Sequence, residues 1–155
     1  MSAKTFFGDA KVTVCPINPP IVVSAGDDLG YTVELMRRGR RGYALVCEGG
    51  KLKGLFTEWD YFKKVVGKGV SLETPIREFM RSELVTLSIK DRLVDVLNIM
   101  EHHDFRRVPL VDMRGRPLGM ISVFDFIQFL AEHFPAEVGN LPPSPDWAGD
   151  APEGE

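Results

Sequence analysis

Gly54-Leu55-Phe56-Thr57-Glu58-Trp59-Asp60 and Gly119-Met120-Ile121-Ser122-Val123-Phe124-Asp125 are two versions of one phrase: a glycine, two apolar residues, a hydroxyl, two further residues and an aspartate. In both, a strand-like apolar run gives way at the hydroxyl to a helix-like pattern, so the phrase marks a strand-to-helix junction. The spacing has two readings. In the first, Thr57 with Asp60 and Ser122 with Asp125 are capping boxes, each hydroxyl and acid satisfying free backbone N–H groups of a first helical turn. In the second, the junction is a binding device. A helix N-terminus offers N–H groups and a positive dipole end to a phosphate. The hydroxyl adds a hydrogen bond, the carboxylate one turn in accepts from vicinal ribose hydroxyls, and the glycine permits close backbone approach.

Working outward, the two phrases lie in a duplicated unit. Ile21-Val22-Val23-Ser24, with Asp27, Asp28 and Leu29, answers to Val85-Thr86-Leu87-Ser88, with Asp91, Arg92 and Leu93, at an offset of 64. Met36 answers to Met100 at the same offset. With one residue inserted near Asp104, the offset becomes 65, matching Tyr43-Ala44-Leu45-Val46 to Val108-Pro109-Leu110-Val111 and Asp60 to Asp125. Each copy predicts a short strand (21–23, 85–87) and then a helix with apolar residues at i, i+4 and i+7: Leu29, Val33, Met36 and Leu93, Leu97, Met100. Asp27 or Asp28 and Asp91 are the expected N-caps. A hairpin follows (42–47 with 52–56, 107–112 with 117–121), then a last helix (58–66, 123–133) ended by Gly67 or Pro135. The order is β-α-β-β-α, twice, a mixed α/β (α+β) class. Units of about 50 residues are marginal alone, so the two are expected to share a core.

The division that follows is an N-terminal segment (1–19), a first repeat (20–68), a linker with a short helix at Pro75 (69–82), a second repeat (83–133) and an acidic Pro/Gly-rich tail (134–155). The tail is too polar to order itself. At 155 residues, 44% hydrophobic and 26% charged, the chain is of ordinary globular composition, which excludes a collagen, a disulfide miniprotein and a wholly disordered chain. No apolar run approaches the ~20 residues that span a bilayer, and no signal peptide opens the chain. Cys15 and Cys47 form no Cys-x-x-Cys pair, which suits idle thiols in a cytoplasmic protein. The net charge of −3 owes five acids to residues 136–155; the body has 17 acidic against 19 basic residues and makes no global case for nucleic acid.

Arg37-Arg38-Gly39-Arg40-Arg41 has three readings: a solvated helix end, a contact to ligand phosphate, or a nucleic-acid patch. Adjacent His102 and His103 diverge by about 100° on a helix, so no metal site is expected. No Gly-x-Ser-x-Gly, P-loop or His-Glu-x-x-His appears, and no enzyme is expected.

At these residues the chain resembles the CBS domain family, the cystathionine-β-synthase-type regulatory repeat, as one tandem pair (a Bateman module). The resemblance covers roughly residues 20 to 133 and rests on both Gly-h-h-[Ser/Thr]-x-x-Asp phrases, on Val108-Pro109-Leu110-Val111 and on Pro75-Ile76-Arg77-Glu78-Phe79-Met80. It implies a pseudo-two-fold module with two clefts that bind AMP, ADP, ATP or S-adenosylmethionine, with no obligatory cofactor. It also implies pairing into a homodimer and a role in sensing, with no membrane and no nucleic acid as partners. Carried over, Asp60 and Asp125 hold ribose, and Thr57 and Ser122 lie near phosphate. Arg106 and Arg107 reach phosphate, while Val85, Thr86, Val108 and Pro109 wall the adenine. Arg41 and Tyr43 serve the first copy, which departs from the pattern: Ala44 stands for Pro109 and Gly42 for Arg107, so the Asp125 cleft is the better matched. The expected function is a non-catalytic adenosyl sensor for an unidentified regulated protein. The alternative is a ligand-free scaffold for dimerisation or protein docking.

Overall fold

The computed structural model describes residues 6, 8–103 and 105–134. Asp104 and the acidic tail from residue 135 onward, with Pro135, lie outside the described residues. In the first repeat β1 (Val22–Ser24) leads through α1 (Leu29–Gly39) to β2 (Tyr43–Glu48), which turns into β3 (Lys51–Thr57) and then α2 (Glu58–Lys64). The second repeat runs β4 (Leu87–Ser88), α3 (Leu93–His103), β5 (Arg107–Val111), β6 (Pro117–Ser122) and α4 (Val123–His133). Each makes a three-stranded sheet, with a parallel pair joined through the helix and an antiparallel hairpin. Among the described residues no helix is long and apolar enough to cross a membrane.

The sheet register moves the inserted residue. Val23 pairs with Val46 as Leu87 pairs with Leu110, and both hairpins shift register after these residues. The offset therefore stays at 64 through β5 and becomes 65 only at Leu52 and Pro117, past the hairpin turn. The Glu58 N–H bonds Gly42 O and the Val123 N–H bonds Arg106 O, equivalent bonds whose second span is longer by the one inserted residue. Tyr43 is thus the counterpart of Arg107, Ala44 of Val108 and Gly42 of Arg106, which corrects the sequence alignment by one residue. A hairpin turn absorbs an insertion more easily than a strand held by its neighbours.

Helix capping follows the same symmetry. Asp28 is the N-cap of α1, its carboxylate accepting from the Tyr31 N–H at 2.7 Å. Asp27 and its counterpart Asp91 instead brace the turn after a strand, accepting from the Ser24 and Ser88 N–H groups at 2.8 and 2.7 Å. Asp91 is therefore no N-cap. The second helix of the first repeat stops at Lys64, short of residue 66, with Gly67 at φ +73° in the turn beyond.

Instead of one shared core there are two, and each is completed by the segment that precedes the other repeat. Val12 and Cys15 pack with Leu87, Leu93, Val108, Ile121 and Phe126 of the second repeat. Ile76 and Phe79 pack with Val23, Leu29, Ala44, Val46 and Phe56 of the first. Val12–Val14 and Ile76–Glu78 are matching 3₁₀ turns, so the region around Val12-Thr13-Val14 adds no strand. The Val12 N–H bonds Asp91 O and the Ile76 N–H bonds Asp27 O; the Leu93 N–H bonds Ala10 O and the Leu29 N–H bonds Thr74 O. A small third cluster of Tyr43, Leu45 and Met120 joins the sheets. The crossing segments give two units that are marginal alone a common fate.

Candidate functional site

Side chains alternate along a strand. In β2, Ala44 and Val46 enter the first core while Tyr43 and Leu45 face the other repeat. In β5, Val108 and Leu110 enter the second core, while Arg107 and Pro109 line a cleft of about 670 Å³ between the repeats. The mouths of both last helices open into it: Thr57 and Trp59 from one, Ser122, Phe124 and Asp125 from the other.

The site residues expected from the sequence divide accordingly. Arg41, Tyr43, Thr57, Val85, Arg106, Arg107, Pro109, Ser122 and Asp125 line this one cleft. Val108 is fully buried behind it and Thr86 is exposed just before β4, outside the lining. Asp60 is also outside the lining, 3% exposed. The expected site residues that face a cleft therefore share one, built by both repeats; a second hollow of about 570 Å³ lies by Met36, Phe56, Glu58 and Phe62.

The two aspartates differ in how they are held. Asp60 closes a full capping box: Oδ2 accepts from the Thr57 N–H at 2.9 Å and the Thr57 hydroxyl at 3.0 Å. Its Oδ1 accepts from Arg81 Nε at 3.2 Å, with Lys64 Nζ at 3.7 Å. The carboxylate is saturated and shielded. At Asp125 the cap is one-sided: the Asp125 N–H donates to Ser122 Oγ at 3.1 Å. Its carboxylate accepts from Ser122 Oγ at 2.8 Å and Asn18 Nδ2 at 2.5 Å, both at Oδ2. No hydrogen bond reaches Oδ1 among the described residues, and Asp125 keeps its place in the cleft wall.

Around Asp125 the cleft is positive and aromatic. Arg40, Arg41, Arg81, Arg106 and Arg107 reach its wall against three acids, Glu58, Glu83 and Asp125. The Arg107 guanidinium lies 5.8 Å from the centre of the Tyr43 ring, a cation–π arrangement between symmetry-equivalent residues. Tyr43 is 5% exposed and its buried hydroxyl has no hydrogen-bond partner among the described residues. Burial pushes the phenol's pKa up, with the Arg41 and Arg107 charges pulling it down and Asp125 adding to the rise. A buried orphan hydroxyl in a cleft wall costs about 1–3 kcal/mol unless something meets it. Arg37 and Arg38 are bound instead to Glu34, at 2.7 and 2.9 Å, which makes that half of the arginine run a solvated helix end.

Asn18 and Arg81 are the neighbours of the two aspartates that the sequence did not announce. They are equivalent, each paired through its backbone to a strand of the other repeat, Met120 or Leu55. Their side chains differ, and the residues before them match only in apolar character, so no identity flags the correspondence. Trp59 and Phe124, equivalent aromatics on the cleft rim, were in plain view inside the quoted phrases.

A model of the CBS domain matches residues 11–67 and 76–132, and the chain belongs to the CBS domain family. The CBS domain-containing protein YhcV of Bacillus subtilis is 31% identical over 103 residues, 66% of this chain and 73% of that protein. Arabinose 5-phosphate isomerase GutQ of Escherichia coli (strain K12) is 32% identical over 110 residues, 70% of this chain but 34% of that protein. This chain thus spans about a third of the length of the isomerases it matches. Among solved structures, the CBS domain pair of protein MJ0100 in complex with 5′-methylthioadenosine and S-adenosyl-L-methionine superposes with a TM-score of 0.67 at 20% identity, over 80% of this chain and 98% of that one. The cytosolic domain of the Mg²⁺ channel MgtE in complex with ATP superposes with a TM-score of 0.67 at 22% identity, over 79% of this chain and 49% of that one. CBS pairs are regulatory modules, and the fold is theirs.

Proposed function

We propose that this chain is a sensor that takes an adenine nucleotide in the central cleft and reports its presence without transforming it. The observation that carries this reading is the juxtaposition, in a space of about 670 Å³, of the open Asp125 carboxylate with a wall of arginines. Ligand pockets usually measure about 300–1,000 Å³. The ribose diol donates to Asp125, and the α4 N-terminus with Arg106 and Arg107 meets phosphate. Structural neighbours carrying ATP or S-adenosyl-L-methionine support an adenosyl ligand. The excess of guanidinium groups favours a phosphate tail over a sulfonium.

Trp59, Phe62 and Phe124, respectively 60%, 64% and 68% exposed on α2 and α4, favour pairing with a second copy. A homodimer in the cytoplasm is the proposed working form, and a scaffold that only dimerises is the second reading. Calorimetric titration with AMP, ADP, ATP and S-adenosylmethionine tests the choice. The sensor reading expects saturable binding of a phosphate-bearing compound, weakened at least tenfold in Asp125→Asn. Heat changes absent with all four leave the scaffold.

A further inference from the structure

The crossing segments hold the two aspartates with unequal strength. Arg81 brings a charge to Asp60 and reaches the Thr57 hydroxyl at 3.4 Å, over a carboxylate 4% exposed. Its backbone is tied to Leu55 in both directions, at 2.8 and 3.0 Å. Asn18 brings no charge. Its backbone bonds with Met120 are longer, at 3.5 and 3.3 Å, so its grip on Asp125 rests mainly on one amide.

That amide stands where a ribose must bind. A carboxylate oxygen has two lone pairs. Both lone pairs of Asp125 Oδ2 are taken, by Ser122 Oγ and by Asn18 Nδ2. A vicinal diol that donates to both carboxylate oxygens therefore displaces one of them. Ser122 is anchored as the N-cap of α4, and Asn18 is the one free to leave. Asp60 offers no such vacancy, because both its oxygens are engaged and shielded.

We propose that each chain takes one nucleotide, with its ribose on Asp125, and that the ribose competes there with Asn18, so that filling the cleft loosens the N-terminal crossing segment from the second repeat. This rests on the nucleotide reading above and adds which half is used, which residue sets its affinity and which element carries the signal. The segment is well placed for it: it pairs at Met120, and Ile17 and Asn18 lie against Gly119 at the cleft edge.

The test is titration of the full chain with ATP, joined to hydrogen exchange. One ATP per chain is expected, and Asn18→Ala should bind roughly three- to tenfold tighter, because removing the competitor raises the binding-competent fraction. In the parent protein, ATP should speed exchange at the Asn18 and Met120 amides and leave those of Leu55 and Arg81 unchanged. ATP binding that is unchanged or weaker in Asn18→Ala overturns the proposal while leaving the nucleotide reading intact, as does a second ATP per chain. Protection of Asn18 and Met120 by ATP also overturns it. Absence of ATP binding in parent and variant alike overturns the proposal, and titration with AMP and ADP then decides whether the nucleotide reading falls with it.

Discussion

Asp60 and Asp125 occupy equivalent places and do different work. Asp60 is a buried carboxylate that accepts from the Thr57 N–H, the Thr57 hydroxyl and the half-exposed Arg81, so Asp60→Ala breaks the full capping box and leaves these donors unmet, which should cost about 2–3 kcal/mol. Asp125→Ala keeps the Ser122 cap and loses only the carboxylate's hydrogen bonds to Ser122 Oγ and Asn18 Nδ2, which should cost about 0.5–2 kcal/mol; urea unfolding of both variants checks the order. The motif glycines differ too. A Cβ on Gly119 would meet Ile17 and the Asn18 carbonyl, whereas one on Gly54 would meet the flexible Met80 side chain. Gly119→Ala should therefore destabilise by about 2–3 kcal/mol and Gly54→Ala by about 1, within the range of overpacked cores. In both places it is the crossing segment, not a ligand, that makes the close approach. Burial and the Asp125 charge push the Cys15 thiol up to about 11 from 9.0. The neutral thiol is the folded form, so its contribution to stability is intact below pH 9 and is lost as pH rises through about 11. Alkaline unfolding of Cys15→Ala should show a shallower decline over that window. An unchanged slope would place the loss elsewhere.

At the scale of the element, the crossing segments decide how the molecule coheres. Ile76→Ala empties a fully buried position in the first core and should cost about 2–4 kcal/mol. Val12→Ala, in the second core, should cost about 2. Because each residue belongs by sequence to one repeat and by packing to the other, both variants should still unfold in one transition. Separate transitions for the two repeats would contradict the interlocked arrangement. The strands, helices and junction phrases were legible because periodicity and capping are local signals. The crossings were not, because Val12 with Ile76 and Cys15 with Phe79 share only apolarity, which many turns share. The inserted residue was misplaced for a related reason: Tyr43-Ala44-Leu45-Val46 and Val108-Pro109-Leu110-Val111 match well one residue out of step, and only pairing with the neighbouring strands fixes the register. Of the cleft, the hydroxyls and Asp125 could be read from the repeated phrase, and Arg106 and Arg107 from the family resemblance. Asn18 and Arg81 reach it from segments distant in the chain, and the burial of Asp60 follows from Arg81.

For the whole molecule, two sheets facing one another across Tyr43, Leu45 and Met120 leave a positive cleft between them, closed on one side by Arg81 and guarded on the other by Asn18. A ligand acts on such a body only through unequal affinity for its states. On the proposal above, release of Asn18 from Asp125 supplies the second state. Thermal unfolding against AMP, ADP, ATP, S-adenosylmethionine and GTP at millimolar concentration addresses this most directly. A ligand at about 100 times its dissociation constant adds about 2.7 kcal/mol, roughly 5–10 °C for a domain of this size. A phosphate-bearing adenine compound in the Asp125 cleft should give a rise of that order, abolished in Asp125→Ala. No rise with any of them, or a rise that survives that substitution, would contradict it.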